Sequence, residues 1–166
     1  MRSTFLRPCN WPKSSSAKWI DQKRPGKVVF TSSVAALLTS ATGLAPNAAS
    51  KHALQCIAES LQQELKPFQI QLQTINPKAF LTGFNETMTE SAFHWQDDSR
   101  NFIKRADIQN YFAFFGEESE RHDPKEVIEA MVSIVPADTG LFRNVVPKAF
   151  EEFIKTDQKE AWGNEI

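Results

Sequence analysis

The run Gly26-Lys-Val-Val-Phe-Thr-Ser-Ser33 and the pentapeptide Asn47-Ala-Ala-Ser-Lys51 that follows it after a loop decide how this chain folds. The first run is apolar and rich in β-branched residues, which is typical of a buried parallel strand. The pentapeptide opens a helical pattern that Pro67 ends. Its apolar residues recur at helical spacing, namely Leu54, Ile57, Ala58, Leu61 and Leu65. A strand, a loop and a long helix over residues 47–66 therefore predict an α/β fold.

Two further strands and two further helices complete the pattern. Residues 69–76 alternate apolar residues with glutamines, which predicts a strand with one more polar face. Residues 141–146 are expected to form a last short strand on the resemblance described below. Asp123 followed by Pro124 predicts a capped helix through Val135. Its apolar face is expected to comprise Val127, Met131, Val132 and Val135. By the same resemblance, residues 149–155 are expected to form a closing helix.

These segments resemble the short-chain dehydrogenase/reductase (SDR) family. In that family a serine ends a strand and a Tyr-x-x-x-Lys pair stands on the next helix. Ser33, or less well Ser32, matches the serine, Lys51 matches the lysine, and Asn47 stands in place of the tyrosine. The resemblance implies a three-layer, partial Rossmann-like fold in which a short parallel sheet is flanked by helices. It also implies a small-molecule substrate and the NAD(P)-dependent interconversion of alcohols and carbonyls.

The resemblance continues past the lysine and implies the cofactor contacts. Asn76-Pro77-Lys78 resembles the family's Asn-Pro-Gly turn, and Thr82 stands where a residue usually meets the nicotinamide amide. Lys51, Pro77 and Thr82 are therefore the implied cofactor-binding residues for NAD or NADP. Ser33 is the implied hydrogen-bond donor to the substrate oxygen. Lys51 is the implied ribose contact and modulator of the acid's pKa.

The replacement at Asn47 bears directly on the chemistry. Hydride transfer to or from a carbonyl carbon needs a proton relay at the oxygen. A phenol has a pKa near 10 that a neighbouring ammonium group can lower, whereas an amide can donate a hydrogen bond but has no proton to release at neutral pH. The single tyrosine, Tyr111, lies far away in sequence. Asn47 is thus predicted to occupy the acid/base position without its chemistry.

Glycine spacing excludes the usual dinucleotide motif. The family cradles the pyrophosphate in a glycine-rich turn before a helix. The six glycines here are never closer together than 17 residues, so no such motif can be written. Residues 24–166 therefore resemble a truncated domain, the C-terminal half of such an enzyme. Residues 1–23 form an atypical segment in which Asn10 is the candidate for the family's further catalytic asparagine.

Residues 80–121 correspond to the family's substrate lid and are rich in aromatic side chains. One interpretation is that these rings shape an apolar substrate pocket. The interpretation that we favour is that they cover the end of the sheet as a small satellite core. We favour this interpretation because a lid without a cofactor beneath it has nothing to close on.

Composition limits the remaining functions. The 166 residues are 41% hydrophobic and carry a net charge of −1, which gives no electrostatic reason to bind nucleic acid or an anionic membrane. Cys9 and Cys56 show no metal or redox spacing and indicate a cytoplasmic protein, and the histidines predict no metal site. No apolar run is long enough to span a membrane.

Three functions remain open. The chain is an SDR-type oxidoreductase that is inactive in isolation, a non-catalytic interaction module, or a truncated product with no function of its own. Because the strand that would precede Val28 has no counterpart in the sequence, we also expect an unpaired sheet edge and a homo-oligomer.

Overall fold

The computed structural model describes residues 16–39, 45–94, 96–109 and 122–163. The first half of the chain contains helix α1 (Ser16–Asp21), strand β1 (Gly26–Thr31), a 3-10 turn (Val34–Ala36), helix α2 (Ala45–Leu65) and a second 3-10 turn (Lys66–Phe68). The second half contains strand β2 (Ile70–Pro77), helix α3 (Phe84–His94), helix α4 (Pro124–Ile134), strand β3 (Arg143–Val146), a 3-10 turn (Lys148–Phe150) and helix α5 (Glu151–Glu160). Residues 105–109 are also helical.

The three strands form one parallel sheet in the order β1-β2-β3. β1 pairs with β2 from Gly26 opposite Ile70 to Thr31 opposite Ile75. β3 pairs only with the second half of β2, starting with Arg143 opposite Thr74. The predicted parallel sheet and its three strands are confirmed, and β3 is the shortest of them.

Helices cover both faces of the sheet. On one face α2 packs through a buried cluster of Ala58, Leu61, Leu65, Ile70 and Leu72. On the opposite face α4 packs through Val127, Ala130, Met131 and Ile134 against Ile75, Phe80 and Val146. Side chains of successive strand residues point to opposite faces, so β1 and β2 each contribute to both clusters. The predicted three-layer α/β fold is therefore confirmed.

The helix predicted over residues 47–66 is α2, which begins two residues earlier, at Ala45. Its α-helical part ends at Leu65 because Pro67 cannot donate the next hydrogen bond. Gln69 then reverses the chain with φ 58°, a left-handed conformation, and directs it into β2.

The capped helix predicted at Asp123 is α4, and its cap is confirmed. The Asp123 carboxylate accepts a hydrogen bond from the Lys125 N–H at 2.8 Å, as expected of an N-cap. At the other end the Lys27 ammonium donates to the carbonyls of Ile134 and Ala137 at 2.6 and 2.7 Å. A cation at these carbonyls stabilises the helix end.

The predicted apolar face of α4 is wrong in part. Val132 and Val135 are 69% and 47% exposed, whereas Ala130 and Ile134 pack against the core. The helix carries two overlapping apolar rows, and periodicity alone does not tell which of them meets the sheet.

The face of β2 that was predicted to be polar is buried at Gln73. Gln73 is 3% exposed, because the loop between α4 and β3 covers this face of the strand. The neighbouring Gln71 donates to the Asp138 carbonyl of the same loop at 2.5 Å.

The satellite core expected of the aromatic side chains of residues 80–121 stays a prediction, because most of these side chains lie outside the described ranges. Phe80 is buried, but Phe84 and Phe102 are 58% and 93% exposed. Five further aromatic residues of this segment lie outside the described residues, namely Trp95, Tyr111, Phe112, Phe114 and Phe115. In the described ranges no helix is long and apolar enough to cross a membrane.

Candidate active site at the carboxyl end of the sheet

Ser33 follows β1 at the carboxyl end of the sheet and caps the 3-10 turn. Its Oγ accepts a hydrogen bond from the Ala35 N–H at 3.1 Å, and the residue is half-buried. Accepting this bond leaves the hydroxyl hydrogen available to donate to a ligand. The neighbouring Ser32 is 4% exposed, and its Oγ has no partner among the described residues.

Asn47 and Lys51 lie on the first turns of α2, four residues apart and therefore on the same side of the helix. Both residues are half-buried. The main-chain carbonyl of Asn47 accepts a hydrogen bond from the Ser50 hydroxyl at 2.7 Å. The Lys51 ammonium makes no hydrogen bond to any residue within the described ranges.

A buried asparagine connects this region to the sheet. Asn76 is fully buried, and its Nδ2 donates to the main-chain carbonyl of Ser33 at 3.1 Å and to Oε1 of Gln55 at 3.2 Å. The Thr74 hydroxyl donates to Oδ1 of Asn76 at 2.9 Å. These bonds join the ends of β1 and β2 to α2, one turn beyond Lys51.

Gln55 and Thr74 are therefore site residues that sequence reasoning missed. The one signal in the sequence is the position of Gln55 in the buried stripe of α2, four residues after Lys51. A glutamine at such a position needs a polar partner. Its partner, Asn76, comes from another element 21 residues away, so the pairing was not readable from the sequence.

Of the implied cofactor contacts, Lys51 lies on α2, Pro77 at the end of β2 and Thr82 beyond it. Pro77 ends the strand, and the Lys78 N–H donates to the Val146 carbonyl at 2.8 Å. The Lys78 ammonium stands 5.0 Å from the centre of the Phe150 ring. Thr82 is exposed, and its N–H donates to the Phe80 carbonyl at 2.9 Å.

Two glycines of the described residues lie close to side chains of this chain. A Cβ added to Gly26 would lie 2.4 Å from the Trp19 ring, and one added to Gly140 would lie 2.5 Å from the Gln73 amide. Both glycines thus accommodate side chains of this chain, and neither lies at the carboxyl end of the sheet. The implied contacts that remain, at Lys51, Pro77 and Thr82, belong to the nicotinamide end alone.

The structure thus ties Ser33 to the helix that carries Asn47 and Lys51. The 3-10 turn after Ser33 packs against α2. Asn10, the candidate for a further catalytic asparagine, lies outside the described residues. Within the described ranges no three histidine, cysteine or acidic side chains gather into a possible metal site.

Known proteins share both the sequence pattern and the fold. A family model described as short chain dehydrogenase matches residues 10–92. An uncharacterized oxidoreductase, YusZ, of Bacillus subtilis (strain 168) is 32% identical over 146 residues, which cover 78% of this chain and 51% of that protein. The chain thus spans about half the length of this curated relative.

Solved structures have the same fold over about half of their own length. A short-chain dehydrogenase from Streptomyces avermitilis is similar with a TM-score of 0.57 at 20% identity, over 88% of this chain and 50% of that one. A short-chain dehydrogenase/reductase from Burkholderia phymatum in complex with NAD is similar with a TM-score of 0.59 at 18% identity, over 86% and 50%. Since the family model matches half of the 166 residues, this chain belongs to the short-chain dehydrogenase family.

Proposed function

We propose that this chain carries the substrate-side half of an NAD(P)-dependent alcohol/carbonyl oxidoreductase site and does not catalyse that reaction by itself. Ser33 would donate a hydrogen bond to the oxygen of a small-molecule substrate. Lys51 would supply the positive charge beside it. We place the hydrogen-bond donor at Ser33 and not at Ser32 because the Ser33 hydroxyl is half-buried and the Ser32 hydroxyl is enclosed.

The observation that carries this proposal is Asn47 on the same side of α2 as Lys51. An ammonium group one helical turn away could lower the pKa of a phenol, but it cannot make an amide release a proton. Asn47 can therefore hold a carbonyl oxygen by donating a hydrogen bond to it. It cannot complete the proton transfer that reduction or oxidation requires.

The cofactor of the family is NAD or NADP, and it supplies the hydride when it is bound. We propose that this chain binds neither dinucleotide with useful affinity. The sequence lacks the glycine-rich turn, and Lys78 stands where a glycine would let the main chain approach the ligand closely.

Isothermal titration of the chain with NADH and with NADPH tests this proposal directly. We expect no saturable heat for either nucleotide. Saturable binding at micromolar concentration would overturn the proposal. In that case a Lys51→Ala variant would show whether the ribose contact takes part.

A second test restores the missing phenol. The Asn47→Tyr variant is expected to show no NAD(P)H-dependent carbonyl reduction, because the proton relay and the hydride donor are separate requirements. The matched control is the double variant Asn47→Tyr/Lys51→Ala. Reduction by the single variant above this control would mean that the chain does bind the hydride donor.

An interaction role is the second candidate, and the outer edge of β1 favours it. β1 is an edge strand, and no strand within the described ranges pairs with its outer side. Unpaired N–H and C=O groups along an apolar strand promote association with another strand. We therefore propose that the chain forms a homo-oligomer through this edge. Light scattering at several concentrations is the test, and a strictly monomeric, folded species throughout would refute the proposal.

We also propose a reducing, cytoplasmic location. Cys56 is a free and exposed thiol on α2, and such thiols persist where disulfides do not form. Fractionation of cells that produce the chain would test this location.

A further inference from the structure

A cleft of about 490 Å³ lies at the opposite end of β2 from Ser33 and Asn76. The end of α2, the first half of β2 and the loop before β3 form its walls. Glutamine side chains dominate the walls, and Lys66 supplies the one charged group among the described lining residues. The volume falls within the range of about 300–1,000 Å³ that is usual for ligand sites.

One wall of the cleft is an unpaired strand edge. The Thr74 N–H donates to the Phe142 carbonyl at 2.7 Å on the β3 side of β2, whereas the Ile75 carbonyl accepts from Ser32 on the β1 side. Since main-chain groups alternate in direction along a strand, the N–H and C=O of Leu72 also point to the β3 side. β3 begins opposite Thr74, so Leu72 meets the cleft there. No described residue makes a hydrogen bond to these two groups.

A second unpaired group stands in the same wall. Gln73 lines the cleft and is 3% exposed, yet its Oε1 has no hydrogen-bond partner among the described residues. An unpaired buried amide oxygen is unfavourable, and native structures normally provide it with a partner. Half a rotation of the terminal amide exchanges its oxygen and nitrogen. Either group can therefore be presented to a molecule in the cleft.

We propose that this cleft binds an extended peptide, which adds as a short strand beside Ile70–Gln73. A peptide main chain offers the alternating donor and acceptor that Leu72 lacks, and a strand-edge site gains its affinity from these bonds. At about 3.3 Å per residue, a peptide of three residues is long enough to lie along the unpaired part of this edge. The glutamines of the walls can pair with amide side chains of the peptide, and Lys66 favours a neutral or acidic peptide over a basic one.

The site does not depend on the oxidoreductase proposal, because it lies at the other end of the sheet and uses none of the residues named there. Failure of nucleotide binding and failure of peptide binding are therefore separate outcomes.

The test uses the full chain, labelled with nitrogen-15, and the uncharged tripeptide acetyl-Gln-Ile-Gln-amide. We expect saturable shifts of the Leu72 and Gly140 amide signals in NMR spectra. The same peptide methylated at every main-chain nitrogen cannot donate to the Leu72 carbonyl and is expected not to saturate these signals. This comparison uses the unaltered protein, so it does not depend on the folding of a variant.

A protein variant and its control locate the site. Gln73→Leu removes one hydrogen-bonding partner and is expected to weaken peptide binding by about fivefold. Gln22→Leu changes an exposed glutamine outside the cleft and is expected to leave the affinity unchanged. The absence of saturation, equal binding of the methylated peptide, or shifts of Leu72 that follow protein concentration and not peptide concentration would each overturn the proposal. The last result would assign the edge to a second copy of this chain.

Discussion

The two halves of β2 bury polar groups in opposite ways. In the second half, Thr74 and Asn76 are fully buried and hydrogen-bonded to each other, and Asn76 also bonds to Ser33 and Gln55. In the first half, Gln73 is almost as deeply buried, but its Oε1 has no partner in the described ranges. A polar side chain of this strand can therefore be buried without meeting a hydrogen-bond partner.

A second difference between the halves is their pairing with β3. Its four residues pair with β2 only from Thr74 onward. The side chains of Thr74 and Asn76 lie on the face that α2 covers, where Asn76 meets Gln55, whereas the side chain of Gln73 lies on the opposite face. Where β3 has not yet begun, main-chain and side-chain groups of β2 face the cleft. The short β3 thus leaves the first half of β2 facing the cleft.

The largest expected effect comes from the second half of the strand. Asn76→Ala removes the amide that joins β1, β2 and α2 and leaves buried partners unpaired. We expect the free energy of unfolding to fall by about 3 kcal/mol. Urea denaturation measures it, with Asn101→Ala as a control at an exposed asparagine. If the two variants were equally stable, Asn76 would not hold these elements together.

A smaller loss is expected at the partner of Asn76 on α2. Gln55→Leu keeps a similar side-chain volume but leaves one N–H of Asn76 without its acceptor. We expect the free energy of unfolding to fall by about 1.5 kcal/mol. Gln63→Leu, at an exposed glutamine of the same helix, is the control. A Gln55→Leu variant as stable as this control would show that Asn76 finds another acceptor.

The smallest effect, of opposite sign, is expected in the first half of the strand. Gln73→Leu replaces an unpaired buried amide by an apolar group and is expected to raise the free energy of unfolding by about 1 kcal/mol. Gln71→Leu is the contrasting variant, because it loses the bond to the Asp138 carbonyl and gains no such benefit. If Gln73→Leu were destabilised as strongly as Asn76→Ala, the two halves of β2 would not differ as described.

Much of the fold could be predicted because its signals are local. Pro67 ends α2, and Asp123 with Pro124 starts α4, since each acts on main-chain groups within a few residues of itself. The alternation in β2 likewise requires no knowledge of its neighbours. For the same reason Ser33, Asn47 and Lys51 could be assigned to a family pattern from sequence alone.

The residues that were misjudged depend on contacts between distant segments. Val132 was expected in the core and is exposed, because the way α4 lies on the sheet selects one of its two apolar rows. Gln73 is expected on a polar face and is buried, because the loop between α4 and β3 covers it. This loop is distant in sequence, since the Asp138 that bonds to Gln71 lies 67 residues later in the chain.

The sequence by itself determined the three strands, the helices α2, α4 and α5, the family pattern, and the proposed replacement of a phenol by Asn47. Each of these is a property of residue types and short spacings. The tertiary structure alone decided that Asn76 bonds to Gln55 and that β3 stops short of Leu72. It also decided which polar groups are left to face a cleft. These features arise from pairing between elements far apart in the chain, whose geometry no local pattern encodes.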